Sequence, residues 1–202
     1  FDLKLHQKLR DAVGDDYILM SDPVAEYTMG DAVRVGRQLE KLNYKWLEEP
    51  FRDFELYKYT ELCRTLDIPI AATETTRGAH WGVAQAIAQR AADIVRADVS
   101  WKDGITGTLK IAHMAEGFGM NCEIHTTTMN YMDIVNLHVS CAIRNCEYFE
   151  YFVPEENYQL PMKGRLPIEN GRIHVPKKPG IGVELDWELI QSGCHSHRIL
   201  KA

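Results

Sequence analysis

The sequence predicts an α/β fold of the (β/α)8 TIM-barrel type, carried as an incomplete barrel of about six strands. Two observations lead there. Short β-rich runs alternate with segments of helical length, the pattern of repeated βαβ units around a parallel sheet. Polar residues recur near the carboxyl ends of those runs, as in a barrel that draws one functional side chain from each of several strands. A doubly wound sheet gathers its ligands at one switch point, often behind a glycine-rich first loop, and the chain has neither a GxGxxG nor a Walker motif.

The elements follow in order. FDLKLHQKLRDAVG opens the chain as a helix, and YILMSD (17–22) is the first expected strand. Thr28-x-x-Asp31 has the form of a capping box, after which Val35, Leu39 and Leu42 mark one helical face. YKWLEEP (44–50), IPIAATET (68–75), ADIVRADVS (92–100), MNCEIHT (120–126) and EYFEYF (147–152) are the next five strands. Between them, apolar stripes at Leu56, Tyr59, Leu62 and Leu66, then Val83 and Ile87, then Leu109, Ala112 and Ala115 indicate helices packed on the sheet. From Pro154 the texture changes to Pro, Gly and short polar turns, with DWELI (186–190) as a last helical turn. Residues 1–153 are therefore expected to form the barrel portion and 154–202 a C-terminal extension packing on it.

Composition narrows the function. The chain has 202 residues, 45% apolar and 26% charged, enough to bury a sizeable core and too apolar for a disordered tail. No stretch approaches the roughly 20 apolar residues of a membrane helix, and no secretory leader opens the sequence, so a cytoplasmic protein without membrane contact is expected. A net charge of -6 and the absence of a basic run argue against nucleic acid and for a small-molecule partner. Five cysteines, Cys63, Cys122, Cys141, Cys146 and Cys194, lack CxxC spacing and read as buried free thiols. His195 and His197 form an HxH near the C-terminus without a third ligand, and His80, His113 and His138 fall in helical segments as surface or packing residues. Trp101 and Lys102 directly follow Asp98 and are candidates for lining a pocket.

The chemistry lies in six residues. Asp22, Glu48, Glu74, Asp98, His125 and Glu150 sit at or near the ends of successive expected strands, separated by 26, 26, 24, 27 and 25 residues. That is about the length of one βα unit in a barrel of roughly 250 residues, so all six converge on one mouth. Each alone has an ordinary reading. Asp22 suits a turn, Glu48 and Glu49 before Pro50 suit the solvated start of a helix, Glu74 suits the surface, and His125 a satisfied core histidine. Asp98 and Glu150 are harder to dismiss, because a carboxylate in an apolar strand costs free energy unless paired or liganded.

Taken together, Asp22, Glu48 and Glu74 offer three hard oxygen ligands, which suit Mg²⁺ better than zinc. Asp98 and His125 form a candidate pair in which the carboxylate fixes the tautomer and raises the basicity of the imidazole. A base facing a metal points to proton abstraction beside a carboxylate, and a protonated Glu150 would donate a hydrogen bond to the resulting enediolate.

With these residues in place, D22, LEEP (47–50), TET (73–75), ADVSWKDGITG (97–107), EIHTTT (123–128), FEYF (149–152) and the closing PIENGRIHVPKKPGIGVELD (167–186) resemble the barrel half of the enolase superfamily, mandelate racemase-like subgroup. The resemblance implies that Asp22, Glu48 and Glu74 ligate Mg²⁺, that His125 with Asp98 is the general base, and that Glu150 hydrogen-bonds the enolate. It further implies an acid-sugar (aldonate or aldarate) dehydratase acting on a small carboxylate substrate, in a homo-oligomer. A racemase or epimerase, and a metal-binding homologue without turnover, are the alternatives. The family's Asp-x-Asn is here Asp22-Pro23-Val24, and its Gly-Gly is Asp103-Gly104. Its N-terminal capping domain and lysine-bearing strand would precede Phe1, so the sequence is expected to be the C-terminal part of a longer chain.

Overall fold

The computed structural model describes residues 1–126, 131–153 and 161–193. His195, His197 and Cys194, together with Thr127 and Thr128 of the EIHTTT motif, lie outside the described residues. Four parallel strands, β1 (Leu47–Glu48), β2 (Ile70–Ala72), β3 (Ile94–Ala97) and β4 (Asn121–Ile124), form a sheet in sequential order. Helices α1 (Asp2–Val13) and α2 (Met29–Lys41) precede it. Helices α3 (Leu56–Thr65), α4 (Ala79–Ala88) and α5 (Gly104–Gly117) connect the strands, and α6 (Met132–Ala142) follows β4. The βαβ rhythm thus yields the parallel α/β sheet that alternation alone predicts.

Helix α2 starts where the capping box places it. The Thr28 hydroxyl accepts from Asp31 N–H at 3.2 Å and donates to the Asp31 carboxylate at 2.6 Å. Its apolar face, Ala32, Val35 and Leu39, packs with Leu62 of α3 on Leu47, Ile70 and Ala72. Val83 and Ile87 of α4, Ile111 and Ala115 of α5, and Val135 and Val139 of α6 cover Val95, Ala97, Cys122 and Ile124. Strand alternation therefore sends one set of side chains to the helices and the other, including Glu48, Arg96 and Glu123, to the opposite face.

The expected first and sixth strands differ from the other four. Segment 17–22 runs beside β1 through Lys45 N–H to Leu19 O (2.7 Å) and Glu48 N–H to Ser21 O (2.8 Å), but only Ser21 forms a bridge, with Leu47. Pro23 then removes a donor, and Val24 and Ala25 turn the chain through positive φ of 51° and 60°. Segment 147–152 is not a named strand of the sheet among the described residues, and a side chain meets its first N–H groups. The N–H groups of Glu147 and Tyr148 donate at 3.0 Å to the buried carboxylate of Glu123, so a side chain takes the place of strand carbonyls.

Two further expectations change. The tail contains a hairpin, β5 (Ile168–Glu169) and β6 (Arg172–Ile173), turning at Asn170-Gly171 with φ of 52° and 71°, the Asn-Gly signature of a two-residue turn. A last helix, α7 (Trp187–Ser192), is capped by Asp186. Of the thiols, Cys122 is buried, but Cys63 and Cys146 are half-buried and Cys141 is exposed, because it lies on the solvent side of α6. Among the described residues no helix is long and apolar enough to cross a membrane.

Arg10 ties the first helix to this sheet. Its buried guanidinium donates to Leu42 O (2.8 Å), Gly14 O (2.6 Å), Tyr17 O (2.7 Å) and Asn43 O (3.0 Å), gathering the end of α2 and the approach to segment 17–22. Arg10→Met, which leaves these carbonyls without their donor, is expected to lower the unfolding free energy in urea by about 2–3 kcal/mol.

Candidate active site

The six residues singled out by spacing emerge at one end of the sheet, each from a different segment. Asp98 follows β3 and is fully buried; one of its oxygens takes the N–H of Ser100 at 2.6 Å, and the other lies 2.9 Å from His125 Nδ1. Burial raises the Asp98 carboxyl, but the bonds from His125, Ser100 and Asn136 outweigh it and hold the group below its ordinary value. Nδ1 of His125 is thus engaged by Asp98, and Nε2, on the other side of the ring, faces Glu74 Oε1 at 3.3 Å. The indole of Trp101 packs over the same imidazole, with ring centroids 4.7 Å apart.

The other residues meet around a side chain that the spacing does not mark. Arg96 is 1% exposed on β3, two residues before Asp98 and on the same side of the strand. Its guanidinium lies 2.5 Å from Glu48, 2.8 Å from Glu150 and 3.8 Å from Glu74. Asp22, Glu48, Arg96 and Glu150 line a cavity of about 260 Å³. The chain Asp98–His125–Glu74–Arg96–Glu48/Glu150 is therefore continuous, with Asp22 at the exposed rim of the cavity. Asp22 also makes the turn contact its ordinary reading predicts, accepting from Val24 N–H at 2.8 Å. Glu48 and Glu49, by contrast, are buried, so neither is the solvated start of a helix.

Positioning is done by residues with no spacing signal. The buried Asn136 of α6 accepts from Val99 N–H and donates to the His125 carbonyl, both at 3.0 Å, locking the loops after β3 and β4 together. The Thr73 hydroxyl donates to Arg96 O at 2.8 Å, and Trp46 Nε1–H donates to Glu48 at 2.9 Å. Glu49 accepts from the Thr75 hydroxyl at 2.6 Å. Buried Lys102 donates its ammonium to Thr76 O, which fastens the loop after β2 to the loop after β3. That second loop is shaped by backbone. Asp103 stands at φ 58°, and a Cβ on Gly107 would sit 1.8 Å from the Lys102 carbonyl oxygen. Arg96 carried a readable signal, a charge inside an apolar strand in phase with Asp98; Asn136 and Thr73 carried none.

The electrostatics favour a cation. Burial pushes the carboxyls of Glu48 and Glu74 upward, neighbouring carboxylates push the same way, and the Arg96 charge opposes them. Glu48 Oε1 is buried without an aligned hydrogen-bond donor. Among the described residues, no three His, Cys, Asp or Glu side chains form a closed metal cage, since Arg96 stands between the glutamates. The carboxylates of Asp22, Glu48 and Glu74 are hard oxygen donors of the kind that Mg²⁺ takes.

The sequence profile described as enolase C-terminal domain-like matches residues 2–189. The chain belongs to the enolase superfamily. It is 33% identical over 182 residues to an arabinonate dehydratase of Saccharolobus solfataricus, covering 90% of this chain and 48% of that protein. An L-talarate/galactarate dehydratase of Salmonella typhimurium is 31% identical over 189 residues, covering 91% of this chain and 44% of that protein. The crystal structure of D-glucarate dehydratase from Agrobacterium tumefaciens complexed with magnesium superposes with a TM-score of 0.86 at 38% identity, over 95% of this chain and 50% of that one. The chain thus spans about half the length of the relatives it matches.

Because Glu48 and Glu74 bind protons more tightly folded than unfolded, the metal-free chain loses stability as pH rises above the ordinary glutamate range. Asp98 has the opposite sign, its contribution vanishing only in more acidic solution. Thermal unfolding in chelator is therefore expected to show Tm falling from about pH 5 to about pH 9, and Glu74→Gln is expected to flatten that slope.

Proposed function

We propose that this chain is the catalytic portion of a Mg²⁺-dependent acid-sugar dehydratase, and that its sheet is part of an incomplete (β/α)8 barrel comprising residues 1–153, with 154–202 as a covering extension. The contact of Leu166 and Ile173 with Ile134 and Leu137 of α6 supports the extension. The observation that carries the reaction is the Asp98–His125 pair, with Nε2 aimed at the carboxylate cluster 3.3 Å away. The dehydratase relatives and the magnesium in the D-glucarate dehydratase structure agree with it.

In this reading Asp22, Glu48 and Glu74 would hold Mg²⁺, which would supply positive charge to the substrate carboxylate. His125 Nε2 takes the proton α to that carboxylate, and the C–H electrons move into an enediolate. Asp98, held by Ser100 N–H, stabilises the imidazolium that forms. Protonated His125 then gives its proton to the β-hydroxyl as the C–O bond breaks, releasing water and an enol that becomes a 2-keto acid. Glu150 accepts from Thr126 N–H at 2.8 Å through one oxygen and contacts Arg96 through the other. To hydrogen-bond the enolate oxygen, Glu150 must carry a proton on its free oxygen and exchange the Arg96 contact for the substrate.

Screening aldonic and aldaric acids for keto-acid formation with Mg²⁺ tests the proposal. One acid sugar is expected to react, and His125→Asn is expected to lose about 10²–10⁴-fold in rate while still binding Mg²⁺. Keto-acid formation by His125→Asn at the parent rate, or an epimer in place of a keto acid, would overturn the reading.

A further inference from the structure

Arg96 is the one cation against the glutamate cluster among the described residues of this cavity, and its setting is unusual. It is 1% exposed, and its Nε and Nη2 lie against carboxylates without aligned hydrogen bonds. Its backbone is fixed as well. Arg96 lies in β3, where it pairs with Glu123 of β4, and the Thr73 hydroxyl accepts from Arg96 N–H at 3.1 Å. Its third nitrogen, Nη1, reaches the Glu123 carbonyl at 3.5 Å. The guanidinium is thus a charge-neutralising plug held by the sheet, touching two of the three side chains assigned to the metal, Glu48 and Glu74, and also Glu150. The carboxylates hold its own proton more firmly than usual despite burial, so the charge is permanent.

Resting on the functional reading above, we propose that Arg96 is a resident counter-cation that Mg²⁺ binding must work against: it holds Glu48 and Glu150 together in the metal-free chain and sets the affinity of the cluster for the divalent ion. The physical reason is mutual repulsion. Two cations sharing Glu48 and Glu74 inside a buried, poorly screened site each weaken the other's attraction to the same oxygens. The arrangement stabilises the metal-free fold at the expense of metal affinity, and keeps Mg²⁺ exchangeable.

The test is calorimetric titration of Mg²⁺ into the full chain, with thermal unfolding in chelator and in Mg²⁺. Arg96→Met is expected to tighten the Kd for Mg²⁺ about tenfold or more, to lower the metal-free Tm, and to enlarge the rise in Tm on adding Mg²⁺. Arg96→Gln keeps a donor for Glu48 without the charge, and is expected to tighten binding in the same way should Arg96→Met fail to fold. Arg96→Lys keeps the charge and is expected to stay within about threefold of the parent Kd. A Kd that is unchanged or weaker in the uncharged variants, while the parent binds Mg²⁺, overturns this inference alone. No Mg²⁺ binding by the parent overturns the functional reading and this inference with it.

Discussion

Arg96 is buried, so the acidic side chains around it must remain close, and the segments that carry them must remain in register. Glu48 comes from β1, Glu74 from the turn after β2, and Glu150 from the segment beyond α6. Removing a buried charge from its partners costs several kcal/mol, far more than an exposed ion pair contributes. The guanidinium therefore works as a non-local clamp across the sheet face that carries no helices. On the other face the clamp is apolar, where Val95 and Ala97 of the same strand pack under α4, α5 and α6.

Around that centre, side chains take over bonds that a longer sheet would make with backbone. Glu123 receives the N–H groups of Glu147 and Tyr148, and Asn136 bridges the turns after β3 and β4. Glu150 receives Thr126 N–H, which brings its carboxylate to the cavity. Each contact satisfies a backbone group that would be costly to bury alone. The consequence is that short strands carry a well-determined site, because the loops above them are tied by side chains of the neighbouring unit.

The same logic separates the two kinds of residue in the site. Asp98 and His125 form a pair whose geometry suits proton transfer, with Nδ1 committed to the carboxylate and Nε2 left for chemistry. Glu48 and Glu74 are crowded and buried, which raises their carboxyls, and the charge of Arg96 opposes that rise. Placed 3.3 Å apart, His125 and Glu74 join the two halves into one connected cluster.

The sequence by itself determined the rhythm of the chain and the residues that stand at its strand ends. Apolar periodicity is local, and a polar residue recurring every 24 to 27 positions needs only the repeat length of a βα unit to be read. Four of the six expected strands, the capping box at Thr28, and the grouping of Glu48, Glu74, Asp98, His125 and Glu150 in one connected cluster were legible from pattern and spacing for that reason. The tertiary structure alone decided that Arg96 plugs the carboxylates, that Glu123 replaces a sixth ladder, and that Asn136 aligns the base. Those facts depend on contacts between residues 11 to 54 positions apart, where side-chain burial and hydrogen bonding, rather than repeat length, select the partner.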